Sequence, residues 1–261
     1  MHVVALIELR GPVEAEAANL ARDLGTTVYE ERLKLAAGLP AILLTSADAG
    51  AAHALAAKIA ARGHEARVCD SAAVIPNDAM FALRRFAFEP DALTSLDPPG
   101  RLPYHDVLAL IRASHQSRTE TRTETKSKQF SAGRAILSGG LVMRKNVTRE
   151  EKTVANEREY LLYIFRVNGE TPWILRERGT QYAGLGDEAG PSSAQNFLAF
   201  IARLRKMAKD AVYDERLLHP RGAPSRVVRT GGAAAEAFTV SSASGVDLMA
   251  HLLAQSFGGR R

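Results

Sequence analysis

The chain has 261 residues, 46% of them hydrophobic, a formal net charge of +5 and one cysteine, Cys69. It is too long for one small core and too apolar for wholesale disorder, and it can form no intrachain disulfide. No run approaches the ~18 apolar residues of a membrane span, and Met1-His2-Val3-Val4 lacks a basic, apolar leader; a cytoplasmic protein with no membrane span is expected.

Val3–Leu9 is an apolar run of strand length, ended by Gly11-Pro12. Val13–Leu24 is rich in Ala and Glu and stops at Gly25, which reads as a helix with a glycine beyond its end. Tyr29–Ala37 predicts a second helix and Ala41–Thr45 a strand. Ser46 or Asp48 can cap a third helix, Gly50–Arg62, whose face is Ala52, Leu55, Ala56 and Ile59. Glu65–Cys69 closes the order βααβαβ over residues 1–71.

That order, with Leu24-Gly25, the run Glu30–Pro40 and the Ala-rich segment Asp48–Val68, resembles the C-terminal domain of the bacterial ribosomal stalk protein. The Clp-protease adaptor shares that fold. The resemblance implies a docking module. Where the stalk domain has a lysine-rich strand and helix start, this chain has Leu43-Leu44-Thr45-Ser46-Ala47, so no binding residue carries over.

Ser71–Asp78 reads as a join, giving a linker over 72–79 and a second domain over 80–218. Phe81–Phe88, Ala92–Ser95, Leu102–Ile111, Ile136–Arg144, Tyr160–Val167, Trp173–Arg176 and Gln181-Tyr182 are candidate strands. Asn168-Gly169 predicts a two-residue type I′ turn between Tyr160–Val167 and Trp173. Ser192-x-x-Gln195 is a capping box ahead of Phe197, Phe200, Ile201, Leu204, Ala208 and Ala211, which lie three or four apart on one helix. Six or seven strands ahead of one long amphipathic helix resemble the bacterial pleckstrin-homology-like fold, a bent antiparallel β sandwich capped by its final helix. The expected class is α+β, with a binding scaffold in the second domain. Pleckstrin domains that hold phosphoinositides use basic residues at the first hairpin; here Phe88–Ala92 is acidic.

Residues 101–221 hold 21 Lys/Arg against 14 Asp/Glu, so the basic excess sits in the second half. Within it, Ser117–Lys128 (SRTETRTETKSK) alternates hydroxyls with charges, as a solvent-facing strand does. An exposed arm over 115–134 is expected, and Lys126, Lys128, Arg134, Arg144 and Lys145 are its candidate anion-binding residues. Only Phe130 offers an aromatic platform nearby, and helix-turn-helix and zinc-finger spacings are missing; nucleic acid is therefore the lesser alternative. Residues 219–261 read as a flexible tail carrying a short helix, 246–257, with Leu248, Met249, Leu252 and Leu253 at helical spacing; that stripe is expected to pack back on a domain core, the alternative being a docking helix for a partner.

The seven histidines form no metal-ligand spacing with one another or with Cys69. His105-Asp106 reads as strand, where neighbours point to opposite faces and do not meet. Cys69 reads as a buried, inert thiol, and His53 as a surface side chain. Gly184-x-Gly186 lacks the spacing of a dinucleotide fingerprint and reads as a structural turn; Ser138-Gly139-Gly140 is no nucleophile elbow. The expectation is a non-enzymatic adaptor or scaffold that binds another protein, with no cofactor, metal or catalytic residue. The alternatives are an anion or nucleic-acid binder using the basic half, and a small-ligand enzyme with an inter-domain pocket.

Overall fold

The structure is a computed structural model that describes residues 1–130, 144–219, 224–232 and 235–259, with side chains described outside 122–130, 144–151, 229–232 and 235–237. It is an α+β protein. Among the described residues, no helix is long and apolar enough to cross a membrane. Contacts divide the chain into two compact units, one of Met1–His115, Arg158–Pro224 and Ser242–Arg261, the other of Gln116–Glu157 and Ser225–Ser241. The parting therefore falls at His115 and Arg158 and not at the 72–79 linker read from composition. Residues 1–71 and 80–115 share one unit because a C-terminal helix lies against both.

The first unit opens with β1 (His2–Glu8), α1 (Val13–Leu24), α2 (Val28–Ala36), β2 (Ala41–Ser46), α3 (Ala49–Ala61) and β3 (Glu65–Asp70), in the order the sequence predicts. The strands form an antiparallel sheet, β2-β1-β3. Alternation splits central β1 between two cores. Val4 and Leu6 pack with Ala17 and Leu20 of α1, Leu35 of α2, and Leu55 and Ile59 of α3; Val3, Ala5 and Ile7 face the other way. A strand buried on both faces shows an apolar run and no polar alternation, which is what VVALI is. α2 begins in a capping box of Thr27 with Glu30, and α3 at Asp48, whose carboxylate accepts from Gly50 and Ala51 N–H.

The chain then crosses through β4 (Phe81–Ala82) into the meander β5 (Arg85–Phe88), β6 (Ala92–Asp97) and β7 (Pro99–Pro103), a sheet of order β5-β6-β7. The long strands β8 (Val107–Phe130) and β9 (Arg144–Arg166) and short β10 (Trp173–Arg176) lie in the other sheet, flanked by β4 beside β10 and β11 (Val212–Leu217) beside β8. Between β10 and β11 comes α4 (Ser193–Met207), with Ser192 Oγ accepting from Gln195 N–H. Phe197, Phe200, Ile201 and Leu204 of α4 share one core with Phe86, Leu93, Leu102, Leu110, Leu162, Ile164 and Leu175.

On the opposite face of the same sheet, Leu161, Tyr163 and Phe165 of β9, Ile111 of β8 and Ile174 of β10 meet α5 (Ala243–Gly258). The outward side of β1 packs in that cluster too. α5 is buried nearly all round, from Val246 through Phe257. A helix apolar on every side belongs in a core. The helix within the segment read as a flexible tail is a central element of the first unit, its packing surfaces coming from β1, β8, β9 and β10.

Several local expectations are overturned: the strand read over Phe81–Phe88 divides into β4 and β5 in separate sheets, and at Gln181-Tyr182 a single bridge from Gln181 to Arg85 gives way to a 3₁₀ segment from Tyr182. Between β9 and β10 there is no two-residue type I′ turn: Asn168 does not have positive φ, and Gly169 alone in this loop enters the left-handed region, at +71°. Val167 N–H bonds Asp106 C=O, Glu170 N–H turns back to Asn168 Oδ1, and Pro172 has no N–H, so pairing resumes only at Trp173. A further correction is the strand read over 102–111, which is interrupted by a 3₁₀ turn at Tyr104–Asp106.

The second unit joins the outer parts of β8 and β9 to the hairpin β12 (Arg226–Gly232) and β13 (Ala235–Ser241), with β13 antiparallel to β8. Thr119 lies opposite Thr239, their hydroxyls 3.0 Å apart, and Glu120 pairs with Lys152 at 2.9 Å. At Thr119 and Glu120 the hydroxyl and the charge thus part to opposite faces, as the alternation predicts for the described side chains.

Candidate functional site

Two features of the first unit bring polar groups together. One is a buried network around α5. Tyr163 donates its hydroxyl to Asp247 Oδ1 at 2.6 Å, and His115 Nε2 lies 2.7 Å from the same hydroxyl. A phenol has one proton to give, so His115 Nε2 carries the hydrogen of the second bond. Asp247 Oδ2 accepts from Asn77 N–H at 3.0 Å and from Asn77 Nδ2 at 2.9 Å. Arg176 donates to Asn77 Oδ1 and, at 2.6 Å, to Glu159. Asp247 is 1% exposed, and its two oxygens receive three donors, which is how a buried carboxylate is kept. Burial pulls His115 down to about 4 and pushes Tyr163 well above the usual phenol value, Asp247 reinforcing the latter. The imidazole is neutral at pH 7. With Tyr163 fully buried, the network acts as a polar pin between α5, β8, β9, β10 and the segment before β4.

One turn further along α5, His251 extends the pin. Its Nδ1 lies 2.9 Å from the Asp247 carbonyl and its Nε2 3.3 Å from Ile75 N–H. Asp247 and His251 together hold two backbone amides of segment 75–77.

The second feature is a groove of about 1050 Å³ beside β4. Segment 75–82 makes one wall; Arg166, Gly169, Glu170 and Thr171 of the β9–β10 loop make another, with Arg84, Asp97 and Pro98 completing the rim. Phe81 and Trp173 stack at 4.4 Å in its lining, and Gly100 lies against that pair; a Cβ there would come 2.7 Å from the Phe81 ring. Among the described residues β4 pairs only with β10, at the end of its sheet. Phe81 and Leu83 give their N–H groups to Pro172 and Ile174 carbonyls on the β10 side. Strand alternation then turns the amide of Ala82 outward, and Ala82 lines the groove. Arg166 is paired with Glu170, whereas Asp78, Arg84 and Asp97 are exposed rim charges with no ion partner among the described residues.

The candidates read from sequence fare variously. Lys126, Lys128, Arg144 and Lys145 lie on β8 and β9, but their side chains, like Arg134 as a whole, fall outside the described residues. His105 and Asp106 do meet, at 3.4 Å, because a helical turn and not a strand carries them; the pair is solvent-facing, with His105 80% exposed. His53 is exposed on α3. Cys69 is buried, with Gln255 Nε2 at 3.7 Å, and burial pushes its thiol up. Gly184 lies in a 3₁₀ segment pressed on Phe86, where a Cβ would meet the ring at 2.8 Å. Among the described residues no His/Cys/Asp/Glu cluster has metal-holding geometry.

A second buried ionic knot serves architecture. Glu16 of α1, 1% exposed, takes a two-pronged contact from Arg62, and His64 Nε2 lies 3.1 Å away. Arg10 N–H occupies His64 Nδ1, so Nε2 carries the hydrogen toward Glu16. This ties α1 to the turn between α3 and β3.

Sequence reasoning missed Asn77, Tyr163 and Asp247. Their one sequence signal is an acid inside the apolar run VDLMAHLL, with a histidine four residues on. No family model, no curated protein and no solved structure matches this chain.

Proposed function

We propose that the protein is a non-enzymatic adaptor that receives an extended segment of another protein in the groove beside β4. The observation that carries this reading is the end of the sheet at β4, where the amide of Ala82 turns into a groove walled by a stacked aromatic pair and rim charges. Such an edge supplies main-chain hydrogen bonds to an added strand, and pockets beside it supply preference for side chains. The polar clusters that would otherwise suggest chemistry are buried and mutually satisfied. The helix α4 between two sheets supports a pleckstrin-homology-like reading of the second half, and the βααβαβ order supports a stalk- or adaptor-like reading of the first; both are docking folds.

Ala82→Pro tests this. It removes the outward amide and leaves the bonds of Phe81 and Leu83 to β10 in place. A protein captured by the immobilised wild-type chain should be lost from Ala82→Pro at unchanged thermal stability. Recovery of the same set by both, or of nothing specific by the wild type, would reject the adaptor reading.

A further inference from the structure

We propose that His251 and Asp247 form a proton-released clamp that holds the 75–82 wall of the groove in place at neutral pH and frees it in acid. The proposal rests on the groove being the binding site only for its biological consequence. The geometry is specific about protons. A carbonyl oxygen only accepts, so His251 Nδ1, 2.9 Å from the Asp247 carbonyl, carries a hydrogen. Nε2 receives Ile75 N–H at 3.3 Å and must present a lone pair. The ring is thereby fixed as the neutral Nδ1–H tautomer. A proton added at Nε2 sets donor against donor, and the Ile75 amide loses its acceptor inside a packed interface.

Ile75 lies in the groove lining, as do Asp78, Ala79, Met80, Phe81 and Ala82 beyond it. The second hold on this wall, Asn77 on Asp247, sits one helical turn from the first. Around the clamp, α5 contributes Asp247, β8 His115, β9 Tyr163 and Glu159, β10 Arg176, and the wall itself Asp78. The Phe165 ring meets the imidazole edge-on at 5.1 Å. Burial opposes a charged imidazole here more than Asp247 favours it, so the closed clamp resists protonation. Opening then takes up a proton, and acid favours the open form by about tenfold per pH unit across that window.

The test is hydrogen exchange at the Ile75 amide of the full chain without partner, expressed as protection relative to the intrinsic rate at each pH. Protection should fall by roughly tenfold per unit below pH ~6.5 while the α4 core amides stay protected. Emission from Trp173, the chain's single tryptophan and part of the groove lining, should shift over the same range. In His251→Gln both changes should disappear. If that variant does not fold, the wild-type His251 imidazole resonance must titrate below the ordinary 6.5, at the acid end of the range over which Ile75 protection is lost. Constant Ile75 protection, an equal fall in His251→Gln, a flat Trp173 emission, or loss of all amides together would overturn the clamp. Because no partner is present, these failures stand apart from failure of the capture experiment.

Discussion

Removing the Asp247 carboxylate with Asp247→Ala strands three donors in one step: the Tyr163 hydroxyl and the two Asn77 groups, at 2.6, 3.0 and 2.9 Å. Asp247 is 1% exposed and Tyr163 fully buried, so water cannot replace the carboxylate without opening the packing of α5. Each stranded buried donor costs about 1–3 kcal/mol. Relief of the carboxylate's own desolvation offsets part of this, leaving a net loss of about 3–5 kcal/mol, the range for breaking a buried charged contact. The assay is urea denaturation at pH 7 with Asp247→Ala, Tyr163→Phe and the double variant. Tyr163→Phe alone should cost about 1–3 kcal/mol, because it strands His115 Nε2–H. The double variant should cost less than the sum of the singles by at least about 0.5 kcal/mol, since one bond is lost in both. A loss under about 1 kcal/mol for Asp247→Ala, or strict additivity of the pair, would refute the pin.

Acid should weaken the fold through His115. Its folded value, about 4, lies below the ordinary 6.5, so the unfolded chain takes the proton first. Stability is then full above pH ~6.5 and declines as pH falls toward 4, by at most about 3 kcal/mol. His115→Gln should flatten that part of a denaturation-versus-pH curve; a slope identical to wild type would count against it. Arg62→Ala leaves the buried Glu16 carboxylate with only His64 and Asn19, and should cost about 3–5 kcal/mol by thermal or urea melts. A change within 0.5 kcal/mol, the range of an ordinary surface substitution, would show that the knot is not structural. Gly184→Ala presses a methyl on the Phe86 ring and its carbonyl, which are held by β5, and should lose about 1–3 kcal/mol; wild-type stability there would mean the contact yields freely.

The local elements are legible in the residues alone. Period-3.6 spacing with the Ser192 cap marked α4, and glycine beyond Leu24 and Asp48 ahead of α3 marked the helices of the first 71 residues. The alternation in 117–128 announced a strand with two unlike faces. These signals are short-range, because capping and periodicity act within one or two turns. Tertiary structure alone decided which faces meet. VDLMAHLLAQSF states that a helix is apolar and so packs back on a core, but not that β1 and β9 are what cover it. It decided equally that His115, Tyr163, Asp247 and Asn77 form one hydrogen-bonded group, for they come from four distant segments and only strand pairing and the docking of α5 carry them together. At His105-Asp106 a single 3₁₀ turn in place of strand reversed the expectation, since rotation per residue, and not residue identity, sets whether neighbours meet. The groove belongs to the same category: its walls are assembled by β4 crossing to β10, a parallel pairing between segments some ninety residues apart that no local pattern encodes.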